Sequence, residues 1–379
     1  MDFELSDEQK DIQKAAMEFA KGEFDPDLAF ELDRTRQFPE TIWKKACKLG
    51  FIGVHYPEEF GGQGLGIFEN ILVIEAFCRV DSGIGSGLSM GDIGSEIILK
   101  FGSQEQKSRY LSPLTKGEKL LTIAIAESED EKNISSISTI AKMNGGGYLL
   151  SGEKKFVLNA SLANTFIIFC KKPEQGYITL IVDREEEGCE ITPIEKMGLK
   201  MIPFGNLYFK ELRVPVKNLV GREGEGMLHV NHFFQMMGLR TLAQALGMTE
   251  GAFDRAREYA KQREQFGKKL SQFQVIRHKL ADMAVSVEIA RWLTYRSAIE
   301  HDKGRVDTDS LPIAQLEVAR RLIGVVDEAL QIFGGYGYMA EQAIEHYYRD
   351  SWAIGALLGA EEELNDIIAE RILGAVSLK

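Results

Sequence analysis

The hydrophobic period changes twice along this chain of 379 residues, and that change limits the folds it can adopt. Over about residues 1–120, apolar residues recur at helical spacing, and Ser6 precedes the first such run as a helix N-cap. From about 121 to 225, short β-branched or aromatic runs alternate with Gly, Asn and Pro, which is typical of an antiparallel barrel or sandwich. Long helical patterns return over about 226–379 and predict a bundle.

The composition is that of a soluble globular protein, with 44% hydrophobic and 27% charged residues. A net charge of −12 disfavours non-specific binding to nucleic acid or to an anionic membrane. No apolar run approaches the roughly 20 residues of a membrane span, and the first residues have neither a signal-peptide nor a transit-peptide pattern. We therefore expect a cytoplasmic protein with no nucleic-acid and no membrane partner.

The cysteine and histidine patterns carry no metal signature. The four cysteines are widely spaced, and the six histidines form neither an HExxH pair nor a Cys/His cluster. We expect reduced thiols buried in the core, no disulfide framework and no metal site.

Seven stretches follow one another along nearly the whole chain: PEEFGGQGLG, LKFGSQEQKSRYLSPLTKGEK, EKMGLK, LRVPVKNLVGREGEG, AREYAKQREQFGKKLSQFQ, QIFGGYGYMAEQAIEHYYRDS and IIAERILG. In this order and spacing they resemble the acyl-CoA dehydrogenase family of flavoenzymes. The resemblance implies a mainly α fold with a central β-domain. Its parts are an N-terminal helical domain (1–120), a β-barrel domain beside the flavin ring (121–225) and a C-terminal four-helix bundle with FAD and subunit contacts (226–379).

FAD is the cofactor that the resemblance implies. Arg263 would contact the pyrophosphate, for which a guanidinium fork is suited, Phe266 the adenosine side, and Gln274 would hydrogen-bond the cofactor, usually that of a neighbouring subunit. Three further residues would let the backbone approach the same cofactor closely: Gln331, Gly334 and Gly335. The alternative interpretation is a surface arginine with a helix C-cap glycine pair.

The residues expected against the flavin ring differ from the family pattern. Phe156 takes the place of the usual tryptophan, Leu158 that of a threonine, and Ala126 that of a second threonine. Two hydroxyl groups near the flavin are therefore missing, although backbone N–H groups around Ile125 and Ala126 could still hold the ring. This difference should alter the hydrogen bonding of the flavin.

The positions of the usual catalytic base are occupied by leucine. In most of the family a glutamate precedes the turn that leads into the last helix, and here that position is Leu358. A minority place the glutamate before a helix arginine, and here that position is Leu239, before Arg240. Arg240 could either frame the CoA side of the active site or serve as a structural ion-pair partner.

Two acidic positions are candidates for a relocated base. Glu361 lies among three acids at the start of the last helix, where complementing the helix dipole is the simpler role, so it is the lesser candidate. Asp92 stands where short-chain members have a pocket serine, and we choose it as the general base. An apolar pocket should raise its pKa toward the working range.

A base displaced from Cα suits a substrate with no Cα proton. In cyclohex-1-ene-1-carbonyl-CoA the C3 proton is acidified by vinylogy with the thioester. Its removal by Asp92, with hydride loss from C6 to flavin N5, would yield cyclohexa-1,5-diene-1-carbonyl-CoA by 1,4-elimination. The pattern of Leu358 with Asp92 resembles the cyclohex-1-ene-1-carbonyl-CoA dehydrogenases of anaerobic bacteria, which act in alicyclic and aromatic compound metabolism.

Other functions remain open at this stage. One is 1,2-dehydrogenation of a saturated acyl-CoA, such as cyclohexanecarbonyl-CoA or a short-chain acyl-CoA, with Asp92 or Glu361 as base. A second is an inactive acyl-CoA-binding protein, and a third is an acyl-CoA oxidase. The resemblance further implies a homotetramer and an electron-transfer flavoprotein as electron acceptor.

Overall fold

The N-terminal part of the chain is helical, as its hydrophobic period predicts. The computed structural model describes residues 4–127, 137–305 and 310–374. The first helices are α1 (Asp7–Glu23), α2 (Pro26–Thr35), α3 (Glu40–Lys48), α4 (Ile67–Val80), α5 (Ser82–Ser89), α6 (Ser95–Phe101) and α7 (Gln104–Thr115). Ser6 caps α1 as predicted: its hydroxyl accepts from the Gln9 N–H, and the Gln9 side chain accepts from the Ser6 N–H.

The middle of the chain forms one sheet. Its strands are β1 (Leu121–Ala124), β2 (Ile140–Asn144), β3 (Gly147–Leu158), β4 (Thr165–Lys172), β5 (Gly176–Asp183), β6 (Cys189–Ile194) and β7 (Phe204–Pro215). The order is β1-β4-β2-β3-β7-β6, and β5 pairs with β4. Most strand pairs are antiparallel, as expected for an antiparallel barrel or sandwich, but two pairs are parallel. Strand β4 runs parallel to β1 and bridges β2 in parallel, because the β2–β3 hairpin lies between β1 and β4 in the chain.

Long helices follow the sheet, as predicted. They are α8 (Gly226–Gln262), α9 (Gln274–Asp302), α10 (Ser310–Phe333), α11 (Ile344–Leu358) and α12 (Glu361–Leu373), and a short hairpin of β8 (Glu264–Gln265) and β9 (Lys268–Lys269) lies between α8 and α9. Helix α8 packs against α9, α10 and α11 and also against α4, so the N-terminal and C-terminal helices share one core. In the described ranges, no helix has the length and apolar character needed to cross a bilayer.

Small residues allow α8 to approach the N-terminal helices closely. A Cβ on Gly247 would lie 2.4 Å from the Glu75 carbonyl oxygen, so the backbones of α8 and α4 are in contact there. A Cβ on Gly85 would likewise lie 2.5 Å from the Cys78 nitrogen, where α5 folds back on α4. These contacts bring the middle of α8 against the turn between α5 and α6.

The glycine-rich stretch PEEFGGQGLG is a loop, as predicted, apart from one 3₁₀ turn at Glu58–Phe60. The loop wraps around the residue that precedes it. A Cβ on Gly62 would lie 2.1 Å from the carbonyl oxygen of Tyr56, and one on Gly53 would lie 2.8 Å from its ring. Only glycine fits such distances, so the loop fixes Tyr56 in the core.

Candidate active site

Asp92 lies in the turn between α5 and α6 and is only 5% exposed. One of its carboxylate oxygens forms an ion pair with the guanidinium of Arg240 on α8. The other accepts a hydrogen bond of 2.8 Å from the hydroxyl of Tyr56. Arg240 also donates to the carbonyl of Ser89 at the end of α5. The carboxylate is therefore held on both oxygens by groups from two other segments.

A second carboxylate shares the same arginine. Glu96, on the first turn of α6, pairs with the other terminal nitrogen of Arg240 and is 4% exposed. Of the two roles considered for Arg240, these contacts support the structural ion pair. Glu96 and Tyr56 were not among the predicted site residues. The spacing of Asp92 and Glu96, four residues apart and opposite a helix arginine, is the signal that could have identified Glu96.

The expectation that an apolar pocket raises the pKa of Asp92 was wrong. Burial by itself raises the pKa of this carboxyl, but the charge and hydrogen bond of Arg240, with smaller contributions from His55 and Tyr56, hold it below its ordinary value. For Glu96 the balance is reversed: burial and the neighbouring charge of Asp92 raise its pKa despite Arg240. Asp92 is therefore ionised at neutral pH, as a general base must be.

A small cavity of about 10 Å³ touches Asp92 and Arg240. Its other lining side chains are mostly apolar, from α4, α5 and the segment before Tyr56: Phe51, Ile52, Val73, Ile74, Phe77 and Leu88. Such a volume holds about one water molecule. A six-membered ring beside Asp92 must therefore displace part of this lining or approach the carboxylate from outside the cavity.

Both usual base positions are buried and apolar. Leu358, the last residue of α11, is fully buried, and its carbonyl accepts a 2.8 Å hydrogen bond from the Gln315 side chain on α10. Gln315 lies beside Gly238, where a Cβ would be 3.1 Å from its amide nitrogen. Leu239 follows Gly238 on α8 and is also buried, directly before Arg240. Leu358 and Leu239 are therefore both part of the helical core, and Gln315 joins Leu358 to the face of α8 that carries Gly238. Arg240, two residues further on, lies on the opposite face of α8, where it pairs with Asp92.

Glu361 lies on the surface. It is the first residue of α12, with Glu362 and Glu363 in the same turn, and its exposed carboxylate pairs with Arg320 on α10. The hydrogen bond from Arg320 lowers the pKa of Glu361. This placement favours a role at the helix N-terminus over a role as base.

The segment expected beside the flavin ring is held by two lysines of β3. The Lys154 ammonium donates to the Ile125 carbonyl at 2.9 Å and pairs with Glu127 at 2.7 Å, and the Lys155 N–H donates to the Ala126 carbonyl at 2.8 Å. Burial alone would raise the pKa of Glu127, but Lys154 lowers it to about 2. The following residues of the expected turn, 128–136, lie outside the described part of the chain.

Phe156 lies at a β-bulge in β3 and has a φ of 55°, in the left-handed region. Its ring is more than a third exposed, and its N–H donates to the Asn206 side chain. Leu158, two residues on, accepts a 2.6 Å hydrogen bond on its carbonyl from the Thr122 hydroxyl of β1. Such backbone strain at an exposed aromatic side chain is common at ligand sites and fits the expected flavin contact.

The residues expected around the FAD phosphates lie at the ends of α8 and α10. Tyr259 stacks on Phe333, with ring centroids 4.1 Å apart, and this contact joins the two helix ends. Arg263 then lies over the Tyr336 ring at 5.3 Å, next to Gly334 and Gly335. A Cβ on either glycine would meet no atom within 4 Å, so the backbone there is open to a ligand.

The remaining expected cofactor residues are exposed. Phe266, in the β8–β9 turn with a φ of 53°, is 93% exposed, and Gln274 and Gln331 are on the surface. An accessible arginine beside an open glycine backbone, with a bare aromatic ring near by, fits a dinucleotide with a pyrophosphate. These residues would bind the phosphates and adenosine of FAD, and the residues just after β1 together with those of β3 would hold its ring.

Three family models match the chain in succession. They describe the N-terminal (residues 6–118), middle (122–212) and C-terminal (224–373) domains of acyl-CoA dehydrogenase. The short-chain specific acyl-CoA dehydrogenase of Clostridium acetobutylicum is 34% identical over 98% of this chain and 100% of its own. The caffeyl-CoA reductase-Etf complex subunit CarC of Acetobacterium woodii is 32% identical over 97% of this chain and 99% of its own.

A solved structure agrees with this result. Butyryl-CoA dehydrogenase from Megasphaera elsdenii superposes with a TM-score of 0.93 at 32% identity, covering 98% of this chain and 100% of that one. The chain belongs to the acyl-CoA dehydrogenase family. The predicted fold class is confirmed, and the protein is an FAD-dependent oxidoreductase that acts on CH–CH groups.

Replacing Arg240 by methionine is expected to destabilise the protein by about 3–5 kcal/mol, because two buried carboxylates lose the guanidinium that pairs with both of them. Both carboxyl groups would then have a pKa raised by burial, so stability would fall as pH rises and the deficit would shrink from pH 8 to pH 5. Urea unfolding at several pH values measures this effect. Arg109→Met removes an exposed pair with Asp183 and should cost about 1 kcal/mol or less. Equal losses in both variants would contradict the account of Arg240.

Proposed function

We propose that the protein oxidises cyclohex-1-ene-1-carbonyl-CoA to cyclohexa-1,5-diene-1-carbonyl-CoA by 1,4-elimination, with Asp92 as the general base. The observation that carries the proposal is the ionised, buried carboxylate of Asp92, combined with leucine at Leu358 and Leu239. With no acid at either usual base position, a proton at Cα has no acceptor there. A proton at C3, acidified through the ring double bond, is the one a carboxylate elsewhere in the site can remove.

The chain's own residues have defined tasks in this proposal. Arg240 and Tyr56 keep Asp92 ionised and fix the direction of its oxygens. Leu358 and Leu239 exclude water and polar groups from the region expected to face C1. Bound FAD supplies the acceptor for the hydride that leaves C6. Arg263 and the open backbone of Gly334 and Gly335 would hold its phosphates.

One observation favours a second candidate, an acyl-CoA-binding protein without activity. Both oxygens of Asp92 are already engaged, by Arg240 and by Tyr56, as in a purely structural ion pair. Reaction at C3 would require the substrate to reach a lone pair that these two donors leave unused. The two candidates differ in whether substrate reduces the bound flavin.

The partners form the next part of the proposal. We propose an electron-transfer flavoprotein as the electron acceptor, supported by the relative that is a subunit of a reductase-Etf complex. We also propose a homotetramer and a cytoplasmic location. Exposed apolar side chains support association between copies, in particular Phe266, Tyr338 and Val285, the last beside an apolar surface of α9.

Anaerobic flavin bleaching by a panel of thioesters tests the proposed reaction. The FAD-loaded protein is mixed with cyclohex-1-ene-1-carbonyl-CoA, cyclohexanecarbonyl-CoA and butanoyl-CoA in turn. We expect bleaching by the first alone, because only that substrate has an acidified proton away from Cα. Bleaching by butanoyl-CoA would support the saturated acyl-CoA alternative. Bleaching by none would support the inactive binding protein. Rapid reoxidation by air after bleaching would indicate an oxidase.

Replacing Arg263 by alanine is expected to weaken FAD binding about tenfold to a hundredfold, since charge-assisted hydrogen bonds contribute about 1.5–3 kcal/mol. The measurement is the FAD dissociation constant of reconstituted apoprotein. Arg257→Ala is the control, because Arg257 lies in the last turns of α8, shortly before Arg263, and pairs with Asp254 and Glu258 on the surface. Equal FAD dissociation constants in the two variants would show that Arg263 does not contribute to FAD binding.

A further inference from the structure

Five buried side chains form a closed ring of polar contacts around Asp92. Arg240 bridges the carboxylates of Asp92 and Glu96 on one side. On the other side, the Tyr56 hydroxyl donates to Asp92 at 2.8 Å and is hydrogen-bonded to the Ser95 hydroxyl. The Ser95 hydroxyl also lies 3.5 Å from a carboxylate oxygen of Glu96. The two hydroxyl groups have two protons for these three contacts, so a third proton is needed to complete them. Two hydroxyl groups therefore lie in sequence between the two carboxylates.

The ring carries one more negative than positive charge when both carboxylates are ionised. All five side chains are at least nine-tenths buried, so solvent screens this surplus poorly. A single added proton would make the ring neutral. The ring can therefore take up one proton, which is the number that a general base removes from the substrate in one turnover.

Only one of the two carboxylates borders the cavity. Asp92 and Arg240 line it, whereas Glu96 is not among its lining residues. A substrate group in this region would therefore meet Asp92 first, and Glu96 would be reached through Tyr56 and Ser95.

We propose that the hydroxyl groups of Tyr56 and Ser95 pass the proton that Asp92 takes from the substrate to Glu96, which then holds it. This inference rests on the proposed function of Asp92 as base. In the transfer, the new O–H bond of Asp92 breaks as its proton binds the Tyr56 oxygen. The Tyr56 proton binds the Ser95 oxygen, and the Ser95 proton binds Glu96. At the end Asp92 is again a carboxylate and Glu96 is a carboxylic acid. Only protons have moved, so no group is oxidised or reduced.

The electrostatics of the ring agree with this direction. The pKa of Asp92 is lowered, chiefly by Arg240 acting against burial, while the pKa of Glu96 is raised by burial and by Asp92. The proton is therefore more stable on Glu96 than on Asp92. The other titratable groups that act on the ring are neutral at working pH. They are Cys47, whose thiol pKa is raised to about 12, and His55, whose pKa is lowered to about 4 by burial. Within the ring, burial raises the pKa of Tyr56, so its hydroxyl is also neutral.

Two substitutions interrupt the path while leaving Asp92 in place. Ser95→Ala removes the link between Tyr56 and Glu96, and Glu96→Gln removes the final acceptor but keeps a group that can accept from Arg240. Ser86→Ala is the matched control, a buried serine on α5 outside the ring. The measurement is the limiting rate of anaerobic flavin bleaching by cyclohex-1-ene-1-carbonyl-CoA between pH 5 and pH 9, with FAD content and melting temperature recorded for each variant.

We expect Ser95→Ala and Glu96→Gln each to lower the limiting rate at pH 8 about tenfold. In the wild type, the rate should fall on the acid side as Glu96 becomes protonated and the acceptor is filled. In Glu96→Gln this fall should move to lower pH, because only the more acidic Asp92 still titrates. Ser86→Ala should match the wild type in rate and in pH profile.

The outcomes separate the relay from the proposed function. Folded, FAD-loaded Ser95→Ala and Glu96→Gln proteins with wild-type rates and an unmoved acid limb would overturn the relay. If these variants lose FAD or structure, Tyr56→Phe replaces them, and a wild-type rate in that variant overturns the relay equally. Full activity in Asp92→Asn, by contrast, would show that Asp92 is not the general base. The proposed function would then fail, and with it the relay, because Asp92 would have no substrate proton to pass on.

Discussion

Asp92→Asn is expected to lower the limiting rate of flavin bleaching by cyclohex-1-ene-1-carbonyl-CoA about a thousandfold, the middle of the range for loss of a general base. Asparagine has nearly the same shape, its amide oxygen can still accept from Arg240 and its amide nitrogen can donate to the Tyr56 oxygen, but the amide cannot take the proton from C3. Glu96 remains to balance the charge of Arg240, so the variant should fold and bind FAD. Stopped-flow absorbance under anaerobic conditions measures the rate.

The control for this prediction is a second buried aspartate. Asp33→Asn removes a carboxylate that pairs with Arg349 and Lys200, away from the cavity beside Asp92. It should change stability but leave the bleaching rate within about twofold, since no proton transfer depends on it. An Asp92→Asn protein that keeps its FAD and bleaches at the wild-type rate would show that Asp92 is structural only.

Leu358→Glu is expected to add a reaction rather than remove one. A carboxylate at the usual base position should abstract the Cα proton of cyclohexanecarbonyl-CoA and bring about 1,2-dehydrogenation of the saturated ring. The new side chain enters a fully buried site, where burial raises the pKa of a carboxyl group and costs stability. A raised pKa brings a general base nearer to the working pH, so the gain in activity should be largest above pH 7.

The matched variant is Leu358→Gln, which carries the same burial cost without a base. The rate with cyclohexanecarbonyl-CoA should be at least about a hundredfold higher in Leu358→Glu than in Leu358→Gln. Product analysis by mass, showing loss of two hydrogens from the saturated thioester, is the measurement. Equal inactivity of both variants, each with FAD bound, would show that Leu358 does not face Cα.

The sequence was sufficient for the fold because its signals are local and repeated. The change from helical to strand period predicted helices, sheet and helices in order, and the capping residue Ser6 predicted the start of α1. The pairing within the sheet was less predictable. That β4 runs parallel to β1 depends on which distant strands meet, and a period of two carries no information on partners.

The candidate site was predictable in part, for a similar reason. Asp92 could be identified because a single position of the sequence has an acid where short-chain family members have a pocket serine. Arg240 was considered as an ion-pair partner, but its pairing with Asp92 was not predicted, and Tyr56 and Glu96 were missed, because tertiary packing brings these residues together from separate segments. The sign of the pKa shift at Asp92 followed from those partners: burial alone predicted a raised pKa, and the charge of Arg240 reversed it.

The most direct test of the central claim is the fate of labelled ring hydrogens. The FAD-loaded protein is given cyclohex-1-ene-1-carbonyl-CoA deuterated at C3 or at C6, with a chemical electron acceptor, and the product is analysed by mass and by NMR. We expect a 1,5-diene that has lost one deuterium from the labelled carbon of each substrate, a primary isotope effect on bleaching with the C3 label, and loss of all turnover in Asp92→Asn. A product that keeps all of its C3 deuterium, or a turnover that does not depend on Asp92, would contradict the proposed reaction.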